Sequence, residues 1–303
     1  MNVSVALAVA LDLALVVAQG PFVAEGLALS AHRELLVSGV YARTVVEIHD
    51  SKPRAFLKAG QFAPVGGLFG MATDPKRNRL WIAETSGPGV PGSSGARRTG
   101  VLEVELASGK VLARYLAPTS AEDHFIGDVM VTNAGDVYAT DGAGGVLYRL
   151  SREAKELVVS AATQLKSLQG VVAAADGLSL IVSSYGEGLH LFKGSTFTQI
   201  RGTPKGIDGV ARCGDTLIVT QNGTDPYRIL QLTLSADESS VESTAVLASG
   251  APAAEDISLG LVKGNSEYVY VRTSQWSSFD EKGALKHAPA AAELGVIPVA
   301  CRR

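Results

Sequence analysis

The chain has 303 residues, is 46% hydrophobic and 19% charged, and carries a formal net charge of −3 from 27 basic and 30 acidic side chains. That balance excludes a disordered chain, a basic nucleic-acid binder and a charged interaction tail. The length suits one large all-β core or two ordinary ones, and 33 glycines set among short apolar runs point to β structure.

The chain opens on Val3 to Ala18, an almost wholly apolar segment. It has two readings. One is a secretory signal peptide over residues 1–18, with a small-residue cleavage pattern at Val16-Val17-Ala18. The other is a buried strand with large and small residues alternating. The signal peptide is preferred, although no Lys or Arg precedes the run and Asp12 interrupts it. The run is too short and too interrupted for a membrane-spanning helix, so no stable membrane insertion is expected. Cleavage would make the protein secreted or periplasmic; an uncleaved strand would leave it cytoplasmic.

Beyond it, six segments repeat one pattern: a glycine, a short apolar run, a polar turn and a second β-rich run. They pair Gly26-Leu27-Ala28-Leu29 with Leu35-Leu36-Val37, and Gly70-Met71-Ala72 with Leu80-Trp81-Ile82. Gly127-Asp128-Val129 pairs with Val137-Tyr138-Ala139, and Gly170-Val171-Val172 with Leu180-Ile181-Val182. The last two pair Gly209-Val210-Ala211 with Leu217-Ile218-Val219, and Gly260-Leu261-Val262 with Tyr268-Val269-Tyr270. The anchor glycines are 44, 57, 43, 39 and 51 residues apart, close to the length of one four-stranded propeller blade. Third strands are visible in five repeats, as in Val101-Leu102-Glu103-Val104. The longest interval contains Ser86 to Arg98, rich in Gly, Pro and Ser, which is expected to be an exposed loop. No linker divides the repeats. The predicted fold is therefore all-β: residues 19–303 as a single six-bladed β-propeller of four-stranded antiparallel blades around a central channel. The tail strand near Gly295 to Ala300 is expected to close it, with an N-terminal strand if the leader is retained.

First strands of propeller blades line the channel, so equivalent repeat positions become neighbours. The residues before the anchor glycines are Glu25, Phe69, Ile126, Gln169, Asp208 and Leu259, and Asp128 follows its own anchor. Converging carboxylates either rise in pKa or bind a cation. A metal set of Glu25, Gln169, Asp208 and Asp128 offers only oxygen, which suits a hard divalent cation such as Ca²⁺. The plainer reading is that Glu25 and Asp208 cap strand ends, and both stay open. His124, ahead of the third blade, is a candidate catalytic acid or base or a structural histidine. Arg97 and Arg98 are candidate substrate-binding residues for an anion, or a solvated loop face. Tyr185 is a candidate substrate-binding residue and Trp276 a candidate for the pocket rim; both can equally fill space between blades. Asn222-Gly223-Thr224 fits a glycosylation sequon. Cys213 and Cys301 form no metal motif; a disulfide or two separate thiols remain, the thiols being the plainer reading.

Several segments, in order, resemble the SMP-30/gluconolactonase/luciferin-regenerating-enzyme-like family: Ala24-Glu25-Gly26-Leu27-Ala28, Gly127-Asp128-Val129, Gln169-Gly170-Val171-Val172, Gly206-Ile207-Asp208-Gly209-Val210, Thr220-Gln221-Asn222-Gly223 and Ser274-Gln275-Trp276. The resemblance implies a six-bladed propeller with a divalent cation in the channel, hydrolysing lactones or esters. Glu25 and Asp208 match the family's Glu and Asp ligands, and Asp208 is the implied general base. Gln169 stands where the family has Asn, and Gly127 stands where another Asn is expected. Those departures keep a second reading alive: a non-catalytic propeller that binds a small molecule or protein.

Overall fold

The computed structural model describes residues 14–57, 66–118, 123–250 and 256–301. Strands follow from alternation of buried and exposed β-formers, and each repeat folds as a four-stranded antiparallel sheet with neighbouring strands paired in chain order. Blade 1 is Ala24–Leu29, Leu35–Gly39, Thr44–His49 and Lys52–Leu57; blade 2 is Gly67–Asp74, Arg79–Ser86, Arg98–Glu105 and Val111–Leu116. Blade 3 is Ile126–Val131, Val137–Asp141, Val146–Leu150 and Val158–Ala162; blade 4 is Leu168–Ala173, Leu180–Ser184, Gly188–Lys193 and Thr196–Gln199. Blade 5 is Ile207–Cys213, Thr216–Gln221, Arg228–Leu234 and Val241–Ser249. Blade 6 is Gly260–Lys263, Glu267–Thr273 and Ala292–Pro298, with Leu15–Ala18 as its outermost strand. First strands of successive blades pack on one another around the channel, including those of blades 6 and 1. The six-bladed β-propeller expected from the repeat is the observed fold.

The ring closes by mixing both chain ends in one blade. Leu15 pairs with Leu294 and Ala18 with Ala292. Val17 and Leu294 are buried together with Phe22, Leu27 and Val271. Four residues of the segment read as a leader thus form a strand; residues 1–13 of that reading lie outside the described residues. Gln275 staples the seam. Its Oε1 accepts the Phe22 and Val23 amides, both at 2.9 Å, and its Nε2 donates to the Ala290 carbonyl at 2.6 Å.

Two expectations are corrected. Cys213, at the end of the first strand of blade 5, is disulfide-bonded to Cys301 beyond the last strand. The plainer reading of two thiols fails because the packing of blade 6 on blade 5 brings together residues 88 apart in sequence. The bond fastens the C-terminal tail across blades 5 and 6. The insertion after Ser86 is only partly exposed: Val90 is fully buried in a cluster with Val40, Phe69 and Phe279. One apolar residue in a Gly/Pro/Ser-rich loop is enough to dock it.

Blades are locked in step by hydroxyls on their second strands. Ser38 donates to the Phe69 carbonyl at 2.6 Å, Thr85 to Ile126 at 3.0 Å, Thr140 to Gln169 at 2.6 Å and Ser183 to Ile207 at 3.0 Å. Each bond reaches from one blade to a carbonyl on the first strand of the next, within or at the edge of that strand's bulge.

Candidate functional site

The anchor positions form the waist of the channel, where first strands approach too closely for side chains. A Cβ at Gly26 would lie 2.9 Å from Gly70 Cα, and one at Gly70 would lie 2.8 Å from Asp128 Cα. A Cβ at Gly209 would lie 3.2 Å from Leu259 Cα. The waist ring is therefore Gly26, Gly70, Asp128, Gly170, Gly209 and Leu259. In blades 3 and 6 the repeat is set one residue away from the sequence alignment, which had used Gly127 and Gly260. The ring just above the waist becomes Glu25, Phe69, Gly127, Gln169, Asp208 and Ser258, with Gly127 and Ser258 replacing Ile126 and Leu259.

Five members of this upper ring, all but the buried Ser258, line a cavity of about 520 Å³. Its wall adds Phe125, Tyr185, Asn222, Thr224, Asp225, Tyr227, Asp256, Ile257, Ser274 and Trp276. Glu25 Oε2 accepts the Trp276 indole N–H at 2.7 Å. Asp208 Oδ2 accepts Asn222 Nδ2 at 2.8 Å and the Ser258 hydroxyl at 3.2 Å. Asn222 reaches Asp208 because Gly206, at φ +72°, lets the turn at Gly223 pack directly on it; a Cβ at either would sit within 2.7 Å of the other's Cα. The Asn222 Oδ1 atom is buried without a hydrogen-bond partner. Phe69 stacks on Trp276 at 6.3 Å and meets Phe125 edge-on at 4.9 Å, so one flank of the cavity is a continuous aromatic wall.

Electrostatics follow from burial. Desolvation first, and then the Asp208 charge, push the Glu25 carboxyl well above the usual range. Asp208 is also raised by burial, against the lowering effect of Ser258 and Asn222. Tyr185 is raised by burial and then by the Asp208 charge. Among the described residues no Lys or Arg lines the cavity.

Of the residues singled out from sequence, Glu25, Gln169, Asp208, Tyr185 and Trp276 meet in this cavity. Asp128 does not face it. Its carboxylate takes the Val171 amide at 3.2 Å and lines a second chamber, below the waist. His124 stands outside the cavity wall, its Nδ1 2.6 Å from Asp141 Oδ2 and 3.1 Å from the Tyr148 hydroxyl. Asp141 also accepts the Phe125 amide at 2.8 Å, so the pair holds the segment that delivers Phe125. Arg97 sits over the Phe125 ring at 5.5 Å, ion-paired to Asp123 at 2.5 Å, and Arg98 is exposed at the start of a strand. Neither arginine lines the cavity. Asn222 and Ser258 were missed. The Asn222-Gly223 pair was visible as a turn, but its amide nitrogen is engaged by Asp208 and the Ile257 carbonyl, which contradicts a glycan there. Ser258 carried no signal once the sixth anchor was misplaced.

The donor set fits a hard cation: two carboxylates and the Gln169 and Asn222 amides offer oxygen ligands, and Asn222 Oδ1 lacks a partner. Among the described residues no three His, Cys, Asp or Glu side chains converge as a metal cluster, so amide and hydroxyl oxygens have to complete any such site. No helix of the described residues is long and apolar enough to cross a membrane.

No protein-family model matches the chain. No curated protein matches it. Solved structures do. A gluconolactonase from Xanthomonas campestris is 16% identical, with a TM-score of 0.64 over 95% of this chain and 89% of that one. The PQQ-bound aldose sugar dehydrogenase of Streptomyces coelicolor is 16% identical, with a TM-score of 0.65 over 93% and 96%. A virginiamycin B lyase from Staphylococcus aureus is 12% identical, with a TM-score of 0.61 over 95% and 99%. At these identities the likeness is one of fold.

Proposed function

We propose that the chain is a hydrolase of lactone or ester bonds in small molecules, acting in the upper cavity with a hard divalent cation such as Ca²⁺. The observation that carries this reading is the floor: Glu25 and Asp208 brought together above the waist, with an unpartnered Asn222 oxygen beside them and no basic side chain among the described residues of the wall. Glu25, Asp208, Asn222 and Gln169 would hold the cation, which when bound polarises a substrate carbonyl. The other parts belong to the chain. Asn222 and Ser258 fix the Asp208 carboxylate through one oxygen, which orients it as general base toward water. Water adds its oxygen to the acyl carbon and the acyl–oxygen bond breaks. The alcohol leaves with one proton, and the other passes through Asp208 to solvent. Trp276 holds Glu25 in place by its indole N–H. The aromatic wall of Phe69, Phe125 and Trp276 excludes water from one flank of the substrate. The disulfide supports an oxidising compartment, outside the cytoplasm. The fold shared with a gluconolactonase is consistent with this reading.

Gly127 favours the alternative, a binding propeller with a depleted ligand set, because it leaves one place in the upper ring without a side chain. A thermal melt in EDTA and then in Ca²⁺, followed by a lactone and ester screen, separates the two. A cation at a hundred times its Kd adds about 2.7 kcal/mol and raises the midpoint by several degrees. The hydrolase reading expects that rise, its loss in Glu25→Ala, and Ca²⁺-dependent turnover of at least one ester. Stabilisation without turnover would leave the binding propeller standing.

A further inference from the structure

We infer that the upper cavity selects ligands carrying an organic ammonium group, held at its mouth by Asp225 and Asp256 against aromatic faces. Applied to the hydrolase reading, on which the bond broken rests, this makes the substrate a cationic ester or aminolactone; the charge preference itself rests on the cavity alone.

The argument begins with charge. Among the described residues four acidic side chains line the cavity, Glu25, Asp208, Asp225 and Asp256, and no basic one does. A divalent cation on the floor would balance Glu25 and Asp208. It would leave two carboxylates at the mouth, where Asp225 is exposed and Asp256 half-buried. Among the described residues neither is ion-paired; Asp256 only accepts the Ser277 amide at 2.7 Å. The arginine next to the site is already committed: Arg97 is paired with Asp123, donates to the Pro88 carbonyl at 2.6 Å and covers Phe125 from outside the wall. An anionic substrate, the ligand for which Arg97 and Arg98 were singled out, would therefore meet uncompensated negative charge.

The second observation is the wall. Phe69, Phe125, Tyr185, Tyr227 and Trp276 supply five aromatic side chains to one cavity. Aromatic faces bind alkylammonium groups through the ring quadrupole and do not demand the desolvation that a compact, strongly hydrated ion would. Carboxylates at a mouth lined by such faces attract an organic cation and orient it, leaving its acyl end toward the floor.

The test compares choline with 3,3-dimethyl-1-butanol, the same shape with carbon in place of the charged nitrogen. Binding to the Ca²⁺-loaded full chain is measured by calorimetry at low and high salt. The expected result is at least tenfold tighter binding of choline, narrowed by salt and at least threefold smaller in Asp225→Asn/Asp256→Asn, with circular dichroism confirming the fold. Equal affinity for both compounds, or a preference untouched in the double variant, overturns the inference. Hydrolysis of acetylcholine and 3,3-dimethylbutyl acetate then separates the two readings. If neither ester turns over while choline is still preferred, the hydrolase reading falls and the charge preference survives. If both turn over with equal kcat/KM and choline is not preferred in binding, the hydrolase reading survives and the ammonium inference falls.

Discussion

The same six strands build two chambers that differ in kind. Above the waist, equivalent positions carry Glu25, Phe69, Gly127, Gln169, Asp208 and Ser258, and the wall comes from loops. Below it, a chamber of about 340 Å³ is lined mainly by aliphatic strand residues, among them Leu27, Met71, Val129, Val171, Val210 and Leu261. One end mixes carboxylates, an amide, an aromatic ring and a hydroxyl; the other is mainly aliphatic around the ring, with Thr73, Asp128 and Arg212 as its polar members. Symmetric packing needs like residues at like positions, whereas a binding site needs unlike residues converging. The difference is the reason the proposed chemistry is assigned above the waist and not below it.

The sharpest way to break that division is to change one first-strand residue on each side of the waist and read activity and stability separately. Asp208→Asn should lower kcat/KM on any accepted ester by roughly 10³-fold, the scale expected for loss of a catalytic carboxylate, without lowering the denaturation midpoint in EDTA near pH 8, because the buried carboxylate it removes is itself disfavoured there. A variant that kept full turnover would remove Asp208 from the mechanism. Met71→Ala, in the lower chamber, should do the reverse, costing about 2 kcal/mol in urea unfolding with little change in kcat/KM.

Asp128 is the acidic residue of the lower chamber's described lining, which also includes Thr73 and Arg212, and its carboxyl is pushed up to about 7, chiefly by burial. A folded-state pKa above the unfolded one means the native state holds the proton more tightly. Its contribution is then complete below about pH 4 and lost as the pH rises towards 7. Asp128→Asn should remove that part of the pH dependence. The difference in unfolding free energy between variant and wild type, both in EDTA, should move by roughly 2 kcal/mol in the variant's favour from pH 5 to pH 8. A difference independent of pH would show that Asp128 is not buried as described. The smallest expected effect concerns the gap in the upper ring. A Cβ at Gly127 would meet Gln169 Oε1 and the Phe125 ring at ordinary contact distances of 3.7 Å. Gly127→Asn should therefore fold normally and tighten Ca²⁺ binding by about tenfold, or ~1.4 kcal/mol, read by calorimetry.

Much of this was legible in the chain. Six apolar pairs at blade-length intervals specified the propeller, because each sheet can bury its faces only against the next. Glu25, Gln169 and Asp208 were placed correctly because their anchors are true waist glycines. Two anchors were misread for a physical reason. The waist requires a residue that tolerates the next blade's backbone, and Asp128 and Leu259 do so without being glycine, since the closest approaches there fall on Gly70 and Gly209. Glycine marks close approach only on the side that lacks room. Asp128 was consequently assigned to the wrong chamber and Ser258 was overlooked.

Local pattern thus determined the strands, the blade count and the carboxylates that enter the channel, since alternation and turn chemistry act over a few residues. Tertiary structure alone decided the rest. Gln275 accepts the amides of Phe22 and Val23 and Trp276 meets Glu25, both across the closed ring, and Cys213 meets Cys301 where blade 6 packs on blade 5. Asn222 finds Asp208 only where Gly206 and Gly223 let two turns touch. Contacts of that kind join residues whose separation along the chain carries no periodic signal, and they exist only once the blades have packed on one another.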